Sequence, residues 1–166
     1  MDYESLQDLY LHELKDLYSG EKQILRALPK MAKHAHSPDL RKALEQHTEE
    51  TRTQVERLEQ IFERLGKSTR ASKCKGIEGI IEEAEDWLDE DAHPEVMDAG
   101  IISATQRVEH YEIAGYGCAR TFANLLGRKE DEKLLDQTIQ EEGNADKKLT
   151  SLAEKINIQA REPQHA

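Results

Sequence analysis

Along most of this chain apolar residues return every three or four positions, which is the spacing of one face of an α-helix. From residue 3 to about 35 the stripe is Leu6, Tyr10, Leu14, Leu17, Ile24, Leu28 and Met31, with Glu13 and Glu21 on or beside it. Pro29 falls inside this segment and predicts a bend, because proline has no N–H to give the preceding turn. In the stretch HAHSPDL that follows, Ser37 is placed to cap, Pro38 suits a first helical position, and Asp39 suits the positive end of a helix. A second helix is expected from there to about Leu65, closed by Gly66, with Leu40, Leu44, His47, Thr51, Gln54, Leu58, Ile61 and Leu65 along one side.

Residues 66 to 95 differ in character. A basic, small-residue loop, GKSTRASKCKG, leads to a shorter amphipathic segment with Ile77, Ile80, Ile81, Ala84, Trp87 and Leu88, closed by Pro94. This reads as a crossover with its own helix, able to cover a bundle or to offer a dimer surface. A third helix is predicted over about 95–126, GRKED makes a turn, and a fourth helix runs over about 131–157. The remaining tail, QAREPQHA, has no periodicity and is expected to fray, so residues 1–160 form one domain and 161–166 a tail.

The third stripe carries the chemistry. In ATQRVEHYEIAGYGCAR (104 to 120), Glu109 and Glu112 interrupt the apolar row of Ile101, Thr105, Val108, Tyr116, Ala119 and Ala123. Two carboxylates therefore point where a core belongs, and a buried acid needs cations, hydrogen-bond donors or a metal. The fourth stripe is Leu135, Ile139, Glu142, Ala145 or Asp146, Leu149 and Leu152, which stacks Glu142 and Asp146 one turn apart.

Register gathers these acids at one depth. In an antiparallel pair, residues equidistant from the turn face each other, since each rises about 1.5 Å. Glu21 then faces a level near 50–53, beside Glu50 and within a turn of His47. By the same count Glu112 faces a level near 145, which Glu142 and Asp146 bracket. Carboxylates from facing helices with a histidine are the ligand set of dinuclear iron or manganese sites, whose two metals can reduce peroxide or dioxygen. The pattern departs from paired Glu-x-x-His motifs: the second helix offers the reversed His47-x-x-Glu50, and the fourth offers no histidine.

Composition narrows the field. The 166 residues suffice for one core without disulfides, and 34% charged with 5% aromatic residues favours an all-α chain. A net charge of −11 argues against nucleic acid as a partner and suits attraction of cations. Cys74 and Cys118 form no disulfide framework, which points to a reducing compartment. The acidic N-terminus does not resemble a signal peptide, and no apolar run approaches the ~20 residues of a membrane span, so a cytoplasmic protein is expected.

The segments ELKDLYSGEKQIL, ALEQHTEETRTQVERLEQIF, RVEHYEIAGYG and TIQEEGNADKKL together resemble the YciE/YciF bacterial stress-protein family of the ferritin-like superfamily, over nearly the whole chain. The resemblance implies a ferritin-like four-helix bundle with a di-iron centre. Its ligands would carry over onto Glu21, His47 or Glu50, Glu109, Glu112, Glu142 and Asp146. It supplies no reaction, because the superfamily spans iron oxidation, peroxide reduction, oxygenation and storage. A homodimer is the default expectation. The rival reading is a non-catalytic helical module whose acids pair with Lys22, Arg52, Arg107 or Lys147; a storage shell is a third.

Other residues carry plainer expectations. His110 lies off the Glu109 face and suits a helix interface, and Tyr111 and Tyr116 are expected simply to pack. Gly115, Gly117 and Gly143 suggest close helix contact or a local bulge. Cys74, between lysines, is expected to be a bystander.

Overall fold

The computed structural model describes residues 3–161, and every regular element among them is helical. Helix α1 spans Leu6–His34, α2 Pro38–Leu65, α3 Lys75–Leu88, α4 Pro94–Leu125 and α5 Lys129–Arg161. The punctuation follows the local chemistry. Ser5 Oγ accepts from Asp8 N at 3.2 Å to cap α1. Ser37 Oγ accepts from Leu40 N at 3.3 Å ahead of Pro38. Gly66 ends α2 at φ +61°, a backbone region that costs an L side chain energy. Helix α1 runs through Pro29, whose ring lies on the exposed face. Helix α5 reaches Arg161, beyond the expected end near 157, and residues 162–166 of the expected tail lie outside the described residues.

Four long helices form the bundle, with α1 beside α2 and α4, and α5 beside α2 and α4. Short turns make α1–α2 and α4–α5 antiparallel, and pairings along the α2–α5 seam show that these neighbours are antiparallel too. Tyr18 OH donates to Glu59 at one level of the α1–α2 seam, and Arg57 and Arg64 reach Glu141 and Asp131 across the α2–α5 seam. Since α2 and α4 run in the same direction, the chain must travel back along the whole bundle between them. The crossover 66–93 does this, giving the ferritin-like four-helix connectivity with one long connection.

Helix α3 covers the bundle rather than standing off it. It packs on α1 and α4, burying Ile77, Ala84 and Leu88. Trp87 packs against Gly100, where any Cβ would collide with the indole at 1.8 Å, and its Nε1 donates to Met97 O. At the other glycines singled out in the sequence the outcome divides: a Cβ on Gly115 would meet Leu17 at 2.9 Å, whereas Gly117 and Gly143 have nothing within 4 Å.

The interior is divided. One apolar cluster, with Ile24, Leu28, Leu40, Leu44, Ile101 and Val108, fills the end near the α1–α2 turn; another, with Tyr10, Leu14, Leu58, Phe62, Tyr116 and Ala119, fills the opposite end. Between them lies a polar layer of Glu21, His47, Thr51, Gln54, Glu109, Glu112 and Glu142, each buried.

Candidate metal centre

Each acid of this layer is delivered by a different helix, or by a different turn of one. Glu21 comes from α1, His47 from α2, Glu109 and Glu112 from successive turns of α4, and Glu142 from α5. Glu21, Glu109 and Glu142 are 0% exposed, Glu112 2% and His47 4%. One ligand atom each from His47, Glu109, Glu112 and Glu142 can be chosen so that all lie within 4.8 Å of one another. His47 Nε2 stands 3.3 Å from Glu109 Oε1 and 3.8 Å from Glu142 Oε2.

These groups lack partners. His47 Nδ1 and Nε2, both oxygens of Glu109, and one oxygen each of Glu21, Glu112 and Glu142 are buried without a hydrogen bond. No lysine or arginine among the described residues ion-pairs with any of the four glutamates. The cations of the rival reading are engaged elsewhere or face solvent: Arg52 pairs with Glu49, Arg107 with Glu83, Lys22 sits over the Tyr18 ring, and Lys147 is exposed. Burial, reinforced by the Glu142 charge, pushes the Glu21 carboxyl up to about 8. Burial also raises Glu109 and Glu112 well above the ordinary carboxylate range, with Glu142 next for Glu109 and Glu21 next for Glu112. Without a cation the layer must therefore hold protons; with one, the same oxygens are converging donors. An oxygen-rich set with one imidazole suits iron or manganese.

The oxygens that do have partners are held by neighbours outside the expected ligand set. Tyr116 OH donates to Glu21 Oε1, a direct contact where only packing is expected from the stripe. Gln54 Nε2 donates to Glu142 Oε1 at 2.5 Å and reaches Glu141 Oε2 at 3.2 Å, while Arg57 clamps Glu141 through two bonds of 2.6 Å. Gln54 was legible as a polar position on the inward stripe of α2, but Glu141 and Arg57 lie off their stripes and gave no signal.

Two expected ligands stand apart. Glu50 is about a third exposed, with Oε2 3.7 Å from His47 Nδ1 and Oε1 accepting from Gln46, and the His47 ring beside it holds its carboxyl below the ordinary range. Asp146 is not brought into the cluster: its Oδ1 accepts from Gln106 Nε2 at 2.9 Å and lies 3.2 Å from His110 Nε2, in the outer α4–α5 seam. His110 thus sits at a helix interface. Cys74 is buried against Asp16 and Tyr111, and burial pushes its thiol up despite the flanking lysines.

The sequence and the fold of this bundle match known proteins. The family described as a domain of unknown function (DUF892) matches residues 5–161. The chain belongs to this family. It is similar to Protein YciF of Escherichia coli (strain K12), 43% identical over 154 residues, which are 92% of this chain and 93% of that protein. The crystal structure of the E. coli stress protein YciF superposes with a TM-score of 0.90 at 40% identity, covering 98% of this chain and all of that one, 100%. YcfI from Rhodopseudomonas palustris gives 0.88 at 42% identity, covering 90% of this chain and 96% of its own. A Xanthomonas campestris protein, 22% identical, shares the fold at 0.75, covering 93% of this chain and 95% of its own. Among the described residues no helix is long and apolar enough to cross a membrane.

Proposed function

We propose that this chain is a dinuclear iron or manganese protein of the bacterial stress response, which reduces peroxide or dioxygen and oxidises ferrous iron as it does so. Glu21, His47, Glu109, Glu112 and Glu142 are its ligands, with Glu50 at the margin. The observation that carries the reading is the set of buried, unpartnered donor atoms on four helices at one level. Four carboxylates balance the charge of two divalent ions, which removes the repulsion that otherwise keeps protons on the layer. Held by these residues, a pair of ferrous ions would provide the two electrons needed to cleave one O–O bond.

The chain's own part is orientation. Tyr116 and Gln54 each fix one oxygen of a glutamate and leave the other free, on Glu21 and Glu142 respectively. The Arg57–Glu141 clamp holds Gln54 in turn, and neighbours of this kind set the position and basicity of ligands. Two free cysteines support a cytoplasmic site of action, and we take the working unit to be a homodimer.

The test is stopped-flow mixing of anaerobically Fe(II)-loaded protein with hydrogen peroxide. The expected result is a rise in near-ultraviolet ferric absorbance with about one peroxide consumed per two irons. A loaded protein that stays ferrous with both peroxide and dioxygen would leave a binding or storage role.

A further inference from the structure

On the flank between α2 and α5 a cavity of about 130 Å³ leads inward and ends on His47 and Glu109. These two residues present to it buried donor atoms that nothing in the protein satisfies. Its sides carry two aliphatic patches, Ala43 and Leu44 on α2 and Ala145 and Leu149 on α5, beside Thr105, Glu141 and Asn144. The mouth is closed by a chain of exposed polar groups: Lys148 Nζ donates to Gln46 Oε1 at 2.8 Å, and Gln46 Nε2 to Glu50 Oε1 at 2.9 Å. The Glu21 side of the polar layer is sealed by contrast, with Tyr116 bonded to the carboxylate and Leu17 packed against Gly115.

Size and lining decide what fits. An apolar cavity of about 150 Å³ accepts a ring of six carbons, so this one is far larger than a two-atom oxidant requires. Aliphatic walls with a polar end select a molecule that is apolar over most of its length and polar at one tip. Glu50, Glu109 and Glu141 border the space against Lys148 at the mouth and Arg57 behind Glu141, and the remaining excess of carboxylate disfavours a negatively charged guest.

Resting on the metal-centre reading above, we propose that this cavity binds a neutral alkyl hydroperoxide of about three to five carbons. Its O–O head meets the His47–Glu109 edge and its tail lies against Leu44 and Leu149. Hydrogen peroxide enters the same space without filling it.

Neutral alkyl hydroxamic acids, which keep an oxygen-donor head on a tail of chosen length without being consumed, serve as the probe. Full-length protein loaded with Co(II) is titrated with the series from acetyl to octanoyl, read by the visible absorbance of cobalt. Affinity is expected to rise about three- to fourfold per added methylene up to the pentanoyl member, then to fall. Ala145→Phe, filling the cavity from α5, is expected to weaken the pentanoyl member at least about tenfold relative to the acetyl one with cobalt content unchanged; Ala43→Phe does the same from the opposite wall. A flat dependence on tail length in the unaltered protein overturns the proposal, whether or not the variants fold. So does an unchanged length preference in both filled variants. If the unaltered protein takes up no cobalt, the metal-centre reading fails first and this one with it, whereas cobalt bound with no preference for tail length overturns the cavity alone.

Discussion

Asp98 and Asp131, near opposite ends of the bundle, and Glu109 and Glu112, at its middle, are all carboxylates withdrawn from water, yet only the end pair is answered by donors. Asp98, 3% exposed, accepts from the backbone N–H groups of His36 and Ser37 at 2.7 Å each, tying the α1–α2 turn to the start of α4. Asp131, also 3% exposed, takes Arg64 Nε at 2.9 Å and Tyr10 OH at 3.3 Å, with Arg128 close by. The middle acids have one another, one imidazole and spare lone pairs. A buried acid with its donors in place is part of the scaffold. A buried acid without them destabilises the empty fold, and its position is explained by a cation that arrives later.

Breaking the end sites is expected to do the most harm. Asp131→Ala leaves a guanidinium and a buried phenol without their acceptor and should lower unfolding free energy by about 3 kcal/mol in urea denaturation. Metal content should be unaffected.

Next in size is the pH response of the metal-free protein. Glu21 is raised from an ordinary 4.5 to about 8. Between those values the folded state holds a proton that the unfolded state has lost, so stability is fully present below the lower value and is lost as pH rises through the upper one. Glu109 and Glu112 shift in the same direction. Metal-free protein should therefore become more stable on acidification from about pH 8 to 5, by on the order of 1 kcal/mol per unit. Metal-loaded protein should show the opposite slope over that window, because binding releases those protons. Thermal melts across a pH series check both signs.

The smallest effect sharpens the comparison from inside the layer. Glu112→Gln replaces an acid that must take up a proton to be buried with a neutral group of the same volume, and should stabilise the metal-free fold at neutral pH by about 1 kcal/mol in chemical denaturation. The same change at an end acid should be destabilising.

Much of this is legible in the sequence. The helical stripes gave four long helices and the crossover helix, because period and punctuation agree locally. The acids were visible because Glu109, Glu112 and Glu142 break apolar rows that the register brings to one depth. What failed was the fine angle around α5. Asp146 sits four residues after Glu142, about 40° past it at 3.6 residues per turn, enough to carry it into the α4–α5 seam with Gln106 and His110. Ala145, on the other flank, faces the cavity instead. Residues that act across helices, such as Arg57 on Glu141, depend on a register finer than stripes convey. Tyr116 was on the stripe, but nothing in its spacing says that its hydroxyl meets Glu21.

Metal stoichiometry tests the central claim most directly. Anaerobic titration with Fe(II) or Mn(II), followed by calorimetry and a thermal melt, should show about two ions per chain and a rise in melting temperature that grows with free metal. Glu109→Ala should lose that binding and stay helical, while Asp146→Asn should retain it. Unchanged metal uptake in Glu109→Ala, with the fold itself collapsing, would contradict the account and make these acids structural.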